Sequence, residues 1–157
     1  MNASAVDAGE GRTAPTTRDW QRLVVAGYVF MGGSAIHIFD HLRRGQGSVT
    51  DALSALGTVG IVVQVAVITL ILTRHRLAPL MSAAAGFSLA LGFTAAHWLP
   101  KWSSLSDSFV DHRPAAFSIV ASLAEIVGAI AVGITGLRTY WHEAGRTRAI
   151  SSTRREI

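Results

Sequence analysis

The chain contains no cysteine. Disulfide bonds, thiolate metal sites, iron–sulfur clusters and cysteine nucleophiles are therefore excluded. Charge is also scarce, because Asp, Glu, Lys and Arg together make up only 15% of the residues. A soluble helical bundle carries a charged stripe on each helix, and no such stripe is present in Val59–Thr73 or Leu80–Ala96. The sequence therefore argues against a soluble four-helix bundle.

Long apolar stretches fill most of the chain instead. Each has about 20 residues, which is the length of a helix that crosses the hydrocarbon core of a bilayer: Leu23–Leu42, Ala52–Thr73, Leu77–Leu99 and Ala115–Leu137. The sequence predicts an all-α integral membrane protein with four transmembrane helices in an antiparallel bundle. It divides into a disordered N-terminal tail, a transmembrane domain and a basic C-terminal tail, at residues 1–18, 19–137 and 138–157.

The distribution of cationic residues predicts the orientation. If both termini are cytoplasmic, only four of the 14 Lys and Arg residues lie outside, namely Arg43, Arg44, Lys101 and Arg113. Cytoplasmic segments carry the excess of positive charge, so we expect the N-in/C-in arrangement, with two cytoplasmic tails. The Ala- and Arg-rich composition is typical of bacteria, and we expect a multi-pass protein of the bacterial cytoplasmic (inner) membrane.

Ionisable residues within the spans are the candidates for chemistry. His37, Asp40 and His41 lie on one helix face because they are spaced by three and four residues, and His97 lies at the same end of the third span. Imidazole and carboxylate groups bind zinc, copper, nickel or iron, so we predict a metal site formed by these four residues. A bound water would be a nucleophile near neutral pH, with Glu125 or Asp40 as the catalytic general base.

A second hypothesis is a redox site. His37 and His97, on different spans at similar depth, are candidate axial ligands of a b-type haem, and Gly33 would leave room for the macrocycle. The plain alternative to either cofactor is a solvated helix end at His41, Arg43 and Arg44.

A third hypothesis involves no cofactor. Glu125, Gln64 and His37 would line a proton or ion path, since buried ionisable groups often mark proton relays, or the protein would be a scaffold subunit of a larger membrane complex. The alternative for Glu125 is a neutral carboxyl group bonded to Gln64 or to a serine hydroxyl. Small residues spaced by four, such as Gly86/Ala90, favour close helix packing and a homo-oligomer. The expected surroundings are the lipid bilayer, and no motif indicates a nucleic-acid partner.

Overall fold

The computed structural model describes residues 17–45 and 47–153. Within these residues the chain forms four helices: α1 (Thr17–Arg44), α2 (Asp51–Leu72), α3 (Ala78–Trp98) and α4 (Ala116–Thr153). Each is long and apolar enough to cross a membrane, which confirms the prediction of an all-helical protein with four candidate spans. The predicted disordered tail lies outside the described residues, except for its last two residues, which begin α1.

Two helices extend beyond the predicted spans. Helix α1 begins at Thr17, and Asp19 in its first turn is a favourable charge at a helix N-terminus. Helix α4 continues past residue 137 to Thr153, because its basic, proline-free extension contains residues that are compatible with a helix. Part of the predicted C-terminal tail is therefore a continuation of the fourth helix.

Three of the helix ends that adjoin connecting loops have recognisable sequence signals. Helix α1 is followed by Gly45, whose φ of +89° is a backbone conformation that glycine adopts without strain. The hydroxyl of Thr50 accepts a hydrogen bond from the backbone N–H of Leu53, which caps α2. Pro79 lies in the first turn of α3, where its missing N–H costs nothing.

Helix α4 packs along both α1 and α3, and α2 is peripheral to them. Gly33 of α1 faces Ala124 of α4, and Phe30 faces Gly128, so the residue numbers rise along one helix while they fall along the other. A Cβ at Gly33 would lie 2.6 Å from the carbonyl oxygen of Ala124. Only glycine permits this approach of the two backbones, and the approach fixes which residues of α1 and α4 meet.

Most of the buried residues divide into an apolar half and a polar half, although Ser82, Thr139 and Glu143 are buried polar residues outside the polar half. The apolar half includes the largest fully buried hydrophobic side chains, Leu23, Phe30, Ile71 and Val132. The polar half lies toward the C-terminal ends of α1 and α3 and includes buried histidine, carboxyl, amide and hydroxyl groups, namely Ser34, His37, Asp40, Gln64, His97, Ser118, Ser122 and Glu125. Since unpaired polar groups are costly away from water, the contacts in this half locate the candidate site.

Candidate metal centre

Three histidines meet at the ends of α1 and α3. His37 and His41 are one turn apart on α1, and His97 lies in the last turn of α3. One ring nitrogen from each lies within 4.8 Å of the other two. The ring centroid of His37 is 4.6 Å from that of His41 and 4.9 Å from that of His97. His37 and His97 are buried, and His41 is partly exposed.

The hydrogen bonds of His41 and His37 have a definite direction. Arg44 Nη2 lies 2.8 Å from His41 Nδ1, and because a guanidinium can only donate, Nδ1 is the acceptor. A neutral His41 then carries its proton on Nε2, which lies 2.8 Å from His37 Nε2. Nε2 of His37 accepts this hydrogen bond, so a neutral His37 carries its own proton on Nδ1. These bonds form a directed chain from Arg44 through both rings.

Glu125 lies behind the ring of His37, on the side away from His41. Its Oε2 is 3.7 Å from His37 Nδ1, and its Oε1 accepts a 2.7 Å hydrogen bond from the hydroxyl of Ser34. The amide of Gln64 donates to the same hydroxyl at 2.7 Å. Glu125 thus meets a serine, as the cofactor-free alternative anticipates, but this serine belongs to α1, and Gln64 reaches the carboxyl group only through it.

Asp40 is fully buried and does not belong to the three-histidine group. Its Oδ1 accepts hydrogen bonds from Arg43 at 2.7 Å and from the Ser118 hydroxyl at 3.0 Å. Its Oδ2 is 3.2 Å from Arg44 Nε. The carboxylate therefore compensates two arginines at the end of α1, and this position differs from the predicted roles of Asp40 as metal ligand and general base.

The loop between α3 and α4 packs against the end of α3 and contacts His97 through hydrogen bonds and a ring. The backbone N–H of Asp107 donates to Ala96 and that of Phe109 to His97, at 2.9 and 2.8 Å. His97 Nδ1 lies 3.2 Å from the carbonyl oxygen of Asp107, which leaves Nε2 for the interior of the group. The Asp107 carboxylate accepts a 2.7 Å hydrogen bond from Arg44, and the Phe109 ring covers His97 with centroids 4.9 Å apart.

Sequence reasoning missed several residues of this site. Ser34 precedes His37 by three residues, so its place on the same helix face was readable from spacing alone. Asp107 was expected only at this end of the bundle, as one of several acidic loop residues, and Phe109 gave no signal, because the fold of the loop decides where they lie. In the search for a site, Arg43 and Arg44 were interpreted as a solvated helix end, although Arg44 is partly buried between two carboxylates.

A haem does not fit between His37 and His97. The two rings touch edge to face, with an interplanar angle of 63°, so no flat macrocycle has space between them. The space beside Gly33 is filled by the backbone of α4, because that glycine serves helix packing. The geometry therefore does not support the haem hypothesis.

No family model, curated protein or solved structure matches this chain. The donor set itself must indicate the chemistry. Three neutral imidazoles suit zinc, copper, nickel or iron. At Zn–N distances of about 2.0 Å, tetrahedral geometry places two ligand nitrogens about 3.3 Å apart. The Nε2 atoms of His37 and His41, at 2.8 Å, would need to separate slightly to hold an ion, and the longer separations in the group, up to 4.8 Å, would need to shorten.

Proposed function

We propose that this protein binds a divalent transition-metal ion within the membrane through Nε2 of His37, His41 and His97, with zinc as the leading candidate. The observation that carries the proposal is the convergence of three ring nitrogens within 4.8 Å in a largely buried environment. Histidines that merely pack in a core do not require this convergence from two helices. Copper, nickel and iron remain candidates because imidazole binds all of them.

The far sides of the rings also suit a metal centre. A metal-binding histidine usually donates its other N–H to a carboxylate or a carbonyl group, which fixes the ring and raises its basicity. The carbonyl oxygen of Asp107 lies 3.2 Å from Nδ1 of His97. The carboxyl group of Glu125 lies 3.7 Å from Nδ1 of His37, just beyond hydrogen-bond distance. His41 is the exception, since Arg44 donates to its Nδ1, so we propose that Arg44 releases this nitrogen when the ion binds.

A site with three histidines leaves one coordination position open, as in catalytic zinc sites. Bound there, the metal would supply Lewis acidity and activate water for hydrolysis or hydration. Glu125 would orient His37 from the side opposite the ion. We keep Glu125 and Asp40 as proposed catalytic residues only in the sense that they position other groups of the site. Glu125 faces away from the centre of the group, and Asp40 is held by two arginines.

We further propose an antiparallel four-span bundle in the bacterial cytoplasmic membrane, with both termini inside and the histidines near the outer face. The positive-inside rule supports this orientation, because the α2–α3 connection contains Arg74 and Arg76. Helix α2 exposes many apolar side chains, including Leu56, Val59, Val62 and Val65. That face would contact lipid, a second copy of the chain or another subunit of a larger complex.

One observation favours a second candidate function, a proton relay. A chain of polar contacts leads from Arg44 through His41, His37 and Glu125 to Gln64, by way of Ser34. However, among the described residues this chain ends against the apolar half of the core. A conducting path must continue to the other surface, so we place metal binding first.

Metal content tests the proposal directly. The protein is purified in a mild detergent without chelator, loaded with zinc, desalted and analysed for metal per chain. We expect about one zinc ion in the wild type and loss of most of it in His37→Ala, His41→Ala and His97→Ala. His75→Ala and His112→Ala are matched controls, since neither residue belongs to the group, and both should retain the ion. A wild type that binds no zinc, copper, nickel or iron would refute the proposal.

A further inference from the structure

A cleft of about 660 Å³ lies beyond the histidines, between the end of α1, the α1–α2 connection and the α3–α4 loop. We call it the loop cleft. Four cationic side chains line it against a single acidic one: Arg43, Arg44, Lys101 and Arg113 against Asp107. Its volume is within the range of small-molecule sites, and its lining has the composition of an anion site.

Part of this positive charge is not neutralised by the protein. Arg43 and Arg44 are paired with Asp40 and Asp107. Arg113 forms no hydrogen bond or ion pair with any residue in the described ranges. The backbone N–H of Lys101 is bonded to the exposed Asp111, but its ammonium group forms no ion pair among the described residues. These two cations therefore line the cleft without a close counter-ion.

The floor of the cleft adds a buried hydroxyl group. Ser106 is 8% exposed, and its hydroxyl oxygen accepts a hydrogen bond from the backbone N–H of Trp102. Its proton is then available for an acceptor in the cleft. Cations together with a hydroxyl donor suit the oxygens of a phosphate group, which are charged acceptors.

The rim of the cleft indicates which kind of molecule would carry the phosphate group. Arg43 lies over the ring of Phe117, 5.5 Å from its centroid, and Phe117 packs against Phe39. Leu42 beside them is 74% exposed. An apolar strip for acyl chains thus continues directly from the cationic cleft, at the end of two candidate membrane spans.

We propose that the loop cleft binds the phosphate of an anionic phospholipid headgroup, whose acyl chains lie along Phe39, Leu42 and Phe117. This inference does not depend on the metal proposal, because Lys101 and Arg113 are not in the histidine group. An inorganic phosphate ion has the same charged oxygens but no acyl chains, so it serves as the competing ligand.

Thermal unfolding of the detergent-purified protein tests this inference with three probes at constant ionic strength. They are dioctanoyl-phosphatidylglycerol, dioctanoylglycerol, which lacks the phosphate, and inorganic phosphate. A ligand that binds only the folded state stabilises it by RT ln(1 + L/Kd), where L is the free ligand concentration, so the dependence of Tm on ligand concentration gives the affinity. We expect a concentration-dependent rise in Tm with the phospholipid, none with dioctanoylglycerol, and affinity for inorganic phosphate at least about tenfold weaker than for the phospholipid.

The variants locate the binding. Lys101→Gln/Arg113→Gln should weaken phospholipid binding by about 30-fold, since each cation near an anionic lipid contributes about 1 kcal/mol. Arg74→Gln/Arg76→Gln removes the same charge at the opposite end of α2 and α3 and should bind as the wild type does. Arg113→Gln alone, at an exposed position, should show about a fivefold loss and serves if the double variant is unstable.

Three results would decide against the inference. Equal responses to phosphatidylglycerol and dioctanoylglycerol would show that the phosphate is not recognised. Equal affinity of the wild type and the Lys101/Arg113 variants would place the binding elsewhere. Inorganic phosphate that binds as tightly as the phospholipid would replace the lipid by a soluble phosphate as the ligand.

Discussion

Replacing Arg44 by methionine should strengthen metal binding, although it removes a residue from the site. Arg44 donates to His41 Nδ1, and this bond forces a neutral His41 to carry its proton on Nε2, the nitrogen that faces His37. A metal at Nε2 requires that proton to move to Nδ1, which must first lose its arginine donor. In Arg44→Met this competition is gone.

The expected size follows from the bond that is lost. A hydrogen bond that involves a charged group contributes about 1.5–3 kcal/mol, and about 1.4 kcal/mol corresponds to a factor of ten in affinity. The lower limit applies, because Arg44 is partly exposed and keeps Asp107 and Asp40 as partners when it leaves His41. We therefore expect zinc to bind Arg44→Met about tenfold more tightly than it binds the control variant.

Arg43→Met is that control. Arg43 also pairs with the buried carboxylate of Asp40 and carries the same charge, but it has no hydrogen bond to His41 among the contacts described. Both variants remove one arginine partner of Asp40, so the comparison controls for that loss. The difference between them reports the removal of the guanidinium that contacts His41. Zinc affinity is measured by competition with a chromophoric chelator, after circular dichroism has shown that both variants are folded. Zinc affinity in Arg44→Met equal to or below that in Arg43→Met would refute the reasoning.

Three further predictions concern the surroundings of the site. Glu125→Gln should weaken zinc binding by about 10-fold, which is the lower end of the effect of losing a carboxylate behind a metal-binding histidine. The glutamine oxygen can still accept the hydrogen bond from Ser34, so we expect the variant to fold. An unchanged zinc Kd would contradict this role. Gly33→Ala should lower the free energy of unfolding by about 1–3 kcal/mol, because its Cβ would strike the α4 backbone. The control Gly92→Ala, with open space around it, should be neutral or stabilising. Denaturation in mixed micelles measures both variants, and equal effects would exclude close packing as the cause. The backbone N–H of Lys101 holds the pKa of Asp111 below its ordinary value. The α3–α4 loop should therefore gain stability above a pH of about 4 and lose it as the pH falls through the lowered pKa. Fluorescence of Trp102 in this loop that does not change during acid titration would argue against this prediction.

The membrane spans were predictable because hydropathy and length are local properties. About 20 apolar residues specify a spanning helix wherever they occur, and all four helices appeared. The ends were less predictable, since α1 and α4 continue into polar sequence that is also compatible with a helix. The facing of His37 and His41 followed from their four-residue spacing. Their meeting with His97 depends on how α3 packs on α4. The pair Gly86/Ala90 predicted close packing of α3, and Gly86 does lie against Ala129 and Gly133 of α4, but the pattern does not specify the partner helix or the register.

The carboxylates show the limit of sequence reasoning more clearly. Asp40 shares a helix face with His37 and His41, so spacing alone made it a metal ligand. The structure instead surrounds it with Arg43 and Arg44, the two nearest cations in sequence, because a buried carboxylate without such partners would be costly. A buried acid next to two arginines should therefore be tested first as their counter-ion. Applied to this sequence, that rule leaves three imidazoles as the proposed ligand set.

Arg44 links the two proposed sites. It touches His41 on one side, lines the loop cleft on the other, and is held between two carboxylates. An anion in the cleft would offer its guanidinium a further acceptor and so weaken its hold on His41 Nδ1, the same contact that opposes metal binding. Occupation of the cleft and of the histidine group would then favour each other, because binding couplings are reciprocal. If both proposals hold, a single partly exposed side chain would couple the buried histidine group to the loop cleft.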